Sequence, residues 1–205
     1  RKSFDDVMSL GAEQVQLGFL KVLPGSNMWE DAKKYGIIYD SNPPYEVVQT
    51  DFISREELDL LRRIEYLLGR IYNSGLFITS ARRFGEHFAS YFAFFERLDA
   101  WMGKKDIAPQ SLGEKEMALM LLRFGECQNI AFARDVVKFD CMARKTRPSL
   151  PGELEEEHQW SRDFYAKLPR EALKNLPRGK RPWHFSRVGR FKLDILAYRE
   201  GKKVI

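Results

Sequence analysis

The sequence predicts an α+β protein that is predominantly α-helical, with a small antiparallel sheet near its C-terminus. Three observations carry this expectation. Residues 53–75, ISREELDLLRRIEYLLGRIYNSG, put Leu58, Leu61, Ile64, Leu68, Ile71 and Tyr72 on one face at helical spacing. Two more helix-compatible stretches follow, Arg82 to Met102 and Leu112 to Arg144, the first of them rich in Phe. Near the end, Phe191, Leu193, Ile195 and Ala197 recur with the period of two that marks a half-buried strand. A chain of 205 residues, 44% apolar and 13% aromatic, has enough apolar surface to offset its folding entropy.

The elements follow in order. Ser3 is placed to cap a short helix through Leu10, with Asp5 and Asp6 in its first turn and Gly11 as its stop. Gln14 to Val22 is apolar enough to read as a buried parallel strand. Pro24-Gly25 breaks it, and Ser26 or Asn27 caps a helix ending at Gly36. Helix, strand, turn and helix is the order found at the end of a β/α barrel, so residues 1–36 read as a leftover barrel unit. Residues 37–52 form a connector. In it, Ile37 to Tyr39 and Glu46 to Gln49 are short strands around Ser41-Asn42-Pro43-Pro44, because two prolines forbid a helix there.

A helical domain is expected over residues 53–147. Ser54 and Glu57 form a capping box, and Ile53 and Leu58 a hydrophobic staple. The pattern stops at Asn73-Ser74-Gly75, and Gly125 is a candidate break further on. Phe84, Phe88, Tyr91, Phe92, Phe94, Phe95 and Trp101 form an aromatic stripe suited to packing on the Ser54–Tyr72 helix. Residues 148–205 form an α+β subdomain: a Pro/Gly-punctuated linker, an acidic-start helix from Glu153 to Lys167, and a strand that turns at Glu200-Gly201-Lys202 into a second one.

Charge and chemistry narrow the function less than the fold. The formal charge is +5, concentrated after Arg162 with Arg178, Lys180 and Arg181 densest and Arg187 and Arg190 beyond; such a cluster attracts phosphate backbones. No apolar run approaches the roughly 20 residues that cross a bilayer. Two cysteines, Cys127 and Cys141, exclude a disulfide framework and point to a reducing cytoplasm. In one continuous helix they would stand about 21 Å apart at 1.5 Å per residue. His87, His158 and His184 are scattered, and Glu155-x-x-His158 is a single copy without a partner, so no metal site is expected. The sequence holds no GxGxxG, GxxxxGK[ST] or GxSxG motif.

Three pieces carry a family resemblance. SFDDVMSLGAEQVQLGFLKVLPGSNMWEDAKKYG with PPYEVV after it, ISREELDLLRRIEYLLGRIYNSG, and VVKFDCMARKTRPSLP together resemble the C-terminal region of cobalamin-binding radical SAM proteins, a domain of unknown function joined to the last strand and helix of the barrel. The resemblance implies a larger polypeptide with an N-terminal cobalamin domain and a partial β/α barrel. That barrel carries a four-iron four-sulfur cluster on a Cys-x-x-x-Cys-x-x-Cys loop, and the cluster cleaves S-adenosylmethionine. Neither that loop nor the Asp-x-His-x-x-Gly cobalamin motif occurs here, so no cofactor is expected within these residues and no cluster ligand is carried over.

At the carboxyl end of the expected strand, Lys21 is a candidate for an S-adenosylmethionine or substrate carboxylate, and Gly25 and Ser26 for an anion at a helix N-terminus. The expected role is an accessory domain of a radical SAM enzyme that shapes substrate access and is inactive alone. Its partners are the barrel and cobalamin domain of the same polypeptide. Two alternatives are a nucleic-acid-binding module using Arg178, Lys180, Arg181, Arg187 and Arg190, and a scaffold that dimerises through the aromatic helix.

Overall fold

The computed structural model describes residues 1–143 and 151–155, and the strand residues 183–185, 195–197, 199–200 and 203–204. The helices are α1 (Lys2–Ser9), α2 (Asn27–Asp31), α3 (Arg55–Leu68), α4 (Ile78–His87), α5 (Tyr91–Lys104), α6 (Glu114–Cys127), α7 (Ala133–Ala143) and α8 (Gly152–Glu155). A π-helical turn, Gly69–Asn73, extends α3, and a 3-10 turn, Pro109–Ser111, precedes α6. The strands form antiparallel pairs: β1 (Ile38–Tyr39) with β2 (Val47–Gln49), β3 (Trp183–Phe185) with β4 (Ile195–Ala197), and β5 (Arg199–Glu200) with β6 (Lys203–Val204). The mostly helical α+β class and the antiparallel C-terminal strands match the sequence. So do the connector strands around Pro43-Pro44, a cis bond, and the antiparallel β5–β6 pair, with Glu200 opposite Lys203.

The main core is built by α3 to α7 with α1. Ile64, Leu68 and Ile71 from α3 and its π turn meet Phe84 of α4, Phe94 and Phe95 of α5 and Phe124 of α6, all fully buried. The rings pack edge-on and tilted: Phe84 and Phe94 lie 5.6 Å apart at 82°, Phe94 and Phe95 4.7 Å apart at 48°. Such pairs add roughly 0.5–1.5 kcal/mol each beyond the apolar area they bury. The aromatic stripe is therefore core, with Phe88, Tyr91 and Trp101 half-buried at its margin. A second, smaller core gathers Val22, Ala32, Val47 and Leu58. α3 joins the two, since Leu61 packs against both.

The start of α3 forms as its sequence dictates. The Ser54 hydroxyl accepts from Glu57 N–H at 3.2 Å and the Glu57 carboxylate accepts from Ser54 N–H at 2.9 Å. Other boundaries depart from the sequence reading. Ser3 lies inside α1, which starts at Lys2 with no side-chain cap. The helix after Ser26 is only Asn27–Asp31, continued by turns to Gly36. The expected helix over 82–102 is two helices, because Ala89 adopts φ 57° and the Ser90 side chain accepts from Ala93 N–H to open α5. The expected helix over 112–144 is also two, broken beyond Gln128, where Asn129 has φ 56°. Gly125 sits within α6. It is there for close approach: a Cβ would stand 2.4 Å from the Ala133 Cβ of α7. Cys127 and Cys141 thus lie on different helices, one exposed and one buried, and are not joined by a disulfide. The Glu153–Lys167 helix lies outside the described residues beyond α8.

The largest correction concerns Gln14 to Val22. No parallel strand and no barrel unit forms there among the described residues. The segment is extended, and Val15, Leu17 and Phe19 turn inward, while Leu20 and Lys21 stand exposed. Among the described residues its only sheet contact is an antiparallel bridge from Lys21 to Glu46, with Val22 N–H donating to Tyr45 O and Val47 N–H to Leu20 O, both at 2.8 Å. A parallel strand needs parallel neighbours, and this one has a hairpin at one end and a helix side chain at the other.

Candidate functional site

The extended segment is fixed at both ends by side chains that sequence spacing does not reveal. The π turn after α3 carries Asn73 round to Val15, where its amide imitates a neighbouring strand. Val15 N–H donates to Asn73 Oδ1 at 2.9 Å, and Asn73 Nδ2 donates to Val15 O at 2.8 Å. Just before it, Tyr72 Oη donates to Ala12 O, and Arg82 donates to Gly11 O and Tyr72 Oη. α1 is anchored through Asp5. Its carboxylate accepts from Phe92 N–H and from the Ser90 hydroxyl, both at 2.8 Å, so it helps cap α5. Between these anchors Gln16, Leu17, Gly18 and Phe19 have no backbone hydrogen bond to any described residue. The result is an extended edge whose donors and acceptors are open among the described residues, followed by exposed Leu20 and Leu23.

Beside this edge an open cleft of about 750 Å³ runs between α3 and α5. Phe19, Tyr66, Met102 and Ile107 give it an apolar floor, and Arg62 and Arg63 stand on its wall. Both cations are matched. Arg62 donates to Glu46 at 3.1 Å, to Asp59 at 2.8 Å and to Val47 O at 3.0 Å, and its guanidinium lies 5.4 Å from the Phe19 ring centroid. Arg63 donates to both Asp99 carboxylate oxygens, at 3.0 and 3.1 Å. A cleft with its charges already paired holds its own walls in place and offers little to a free anion.

Lys21 lies at the bridge to Glu46, exposed and without an ion pair among the described residues. Gly25 and Ser26 follow one turn on. Gly25 has φ 80°, which only a glycine takes without strain. The Ser26 hydroxyl accepts from Trp29 N–H and donates to Leu23 O, and its own N–H donates to Leu23 O, so its polar groups serve the turn and the α2 cap. Arg178, Lys180, Arg181, Arg187 and Arg190, and His158, lie outside the described residues. His184 is in β3, opposite Leu196. His87 is exposed, its ring 5.1 Å from that of Phe88 and 6.2 Å from that of Phe132.

Two buried titratable groups sit on α7. Asp140 accepts from Thr79 N–H at 3.1 Å and from Ser80 N–H and hydroxyl at 2.7 Å, capping α4, whose own N-cap residue Phe77 has no side chain able to do so. Burial pushes its pKa up to about 6 against the pull of those donors. Burial, then the Arg134 charge, lowers that of Lys138. Neither residue faces the cleft's lining. A cap supplied from 60 residues away leaves no local motif to find.

A family model described as "Protein of unknown function (DUF4080)" matches residues 33–196, well over half of the chain. No curated protein and no solved structure matches.

Proposed function

We propose that this chain, which belongs to the DUF4080 family, is the C-terminal accessory domain of a cobalamin-binding radical SAM iron–sulfur enzyme. In this reading it does no chemistry by itself. It borders the mouth of the barrel and restricts what reaches the S-adenosylmethionine and the cluster, both held by the N-terminal part of the same polypeptide. In this reading the extended Gln14–Val22 segment lies against the barrel of the full polypeptide, with Lys21, Gly25 and Ser26 at its carboxyl end.

One observation carries the reading: the open backbone edge at Gln16–Phe19 beside exposed Leu20 and Leu23. Unpaired extended backbone with apolar neighbours is a template for another strand, and folded proteins rarely leave one uncovered. A barrel strand from the same polypeptide would pair this edge and cover both leucines. The further exposed apolar residues Trp29, Tyr35, Ile38 and Phe52 extend the surface such a neighbour would cover.

The test is the reading frame that encodes the chain, taken upstream of Arg1. The expected result is a Cys-x-x-x-Cys-x-x-Cys loop preceded by an Asp-x-His-x-x-Gly cobalamin motif, and a purified full product that binds an iron–sulfur cluster. A frame lacking the three-cysteine loop would end the proposal.

A further inference from the structure

We propose that a second cleft, between the C-terminal halves of α5 and α6, binds a small phosphorylated anion. This inference does not rest on the radical SAM reading. The cleft has a volume of about 490 Å³, within the range of roughly 300–1,000 Å³ typical of small-ligand pockets. Arg97, Trp101 and Lys104 come from one face of α5 at helical spacing, Lys105 follows, and Cys127 and Gln128 close the far side from the end of α6. Ala100 leaves room between them.

Its charge distinguishes this cleft from the one beside Phe19. There, each arginine meets a carboxylate. Here Arg97, Lys104 and Lys105 line the wall with no carboxylate among the lining residues, and none of the three is in an ion pair among the described residues. Arg97 is held over the Phe88 ring at 5.3 Å, which positions the guanidinium without neutralising it.

Lysines near a helix end also complement its dipole. Two helices, α5 and α6, end here, and each C-terminus contributes a charge of about −0.5. Three side-chain cations exceed that sum by about two charges, which a phosphoryl dianion matches and a single carboxylate does not. Trp101 lines the cleft with its ring, while its indole N–H is buried and has no acceptor among the described residues. Free polyphosphate and a nucleotide share the phosphoryl chemistry.

The test titrates pyrophosphate, AMP and acetate into the full chain at low salt by calorimetry, and follows alkylation of exposed Cys127 as a local reporter. The expected result is saturable binding of pyrophosphate or AMP and not of acetate, with Cys127 shielded. Tighter AMP binding assigns a nucleotide, tighter pyrophosphate binding a polyphosphate. Lys104→Gln with Lys105→Gln, both exposed, should weaken binding by about tenfold or more, in line with the loss of two charge-assisted contacts. Arg63→Gln, in the other cleft, should leave it unchanged. Absence of saturable binding would overturn the proposal. So would full affinity in the double-lysine variant with an unchanged circular dichroism spectrum, because the anion would then sit elsewhere, such as on the Arg178–Arg190 cluster.

Discussion

Residues 1–52 and residues 53–143 bury their apolar side chains on different terms. In the helical part, the large aromatic and aliphatic residues close on one another, and Phe84, Phe94, Phe95 and Phe124 are fully buried. In the first 52 residues, Val7, Leu10, Leu20, Leu23, Trp29, Tyr35, Ile38 and Phe52 stand exposed, Phe52 at 94% of its surface and Leu10 at 83%. These are the large exposed hydrophobics among the described residues, and none lies in the helical part. The same residues 1–52 also send Phe4, Met8 and Val15 into the main core. One part satisfies itself. The other is tied to it on one side and, among the described residues, leaves apolar surface and open backbone on the other.

Substitutions sharpen this contrast, and the largest effect should come from the helical core. Phe94→Ala removes a ring packed against Phe84, Phe95 and Phe124, and should lower stability by about 3–5 kcal/mol in chemical denaturation. Next comes pH. The folded pKa of Asp140, about 6, lies above the ordinary 3.8, so the folded state holds a proton that the unfolded state has released. Its contribution is fully present below about pH 4 and is lost as pH rises through about 6, a decline on the order of 3 kcal/mol. Asp140→Asn should flatten that part of the stability-against-pH curve; an unchanged slope would refute the assignment.

A smaller effect is expected where the two regions are joined. Asn73→Ala removes both hydrogen bonds to Val15 and should cost about 1–2 kcal/mol, with faster exchange of the Val15 amide. The smallest belongs to the exposed set. Leu23→Ser should change stability by less than about 0.5 kcal/mol. A loss comparable to that of Phe94→Ala would mean that Leu23 is core, and the contrast between the regions would fall.

Legibility followed the range of the interactions. The Ser54/Glu57 box, the apolar face of α3, the β1–β2 pair around Pro43-Pro44 and the alternation through Ile195 and Ala197 are local, and the sequence shows each of them. The breaks at Ala89 and beyond Gln128 carry neither proline nor glycine at the turning residue, so helical periodicity runs straight through them. Asp5 looks like a residue of its own helix's first turn, yet caps α5. Asp140 looks like a polar position on α7, yet caps α4. Asn73 looks like a helix terminator, yet serves as a strand surrogate for Val15. Each acts across 58 or more positions of chain, and no spacing rule reaches that far. In the Gln14–Val22 segment the apolar content was legible, but whether it would find parallel neighbours was not.

Amide hydrogen exchange at Gln16–Phe19 tests the central claim most directly, measured in the 205-residue chain and again in the full product of its reading frame. The open edge should exchange at nearly the unprotected rate in the first and, on the proposed reading that barrel strands pair with it, slow markedly in the second. Equal rates in both would contradict the account, because the edge would then have no strand to receive.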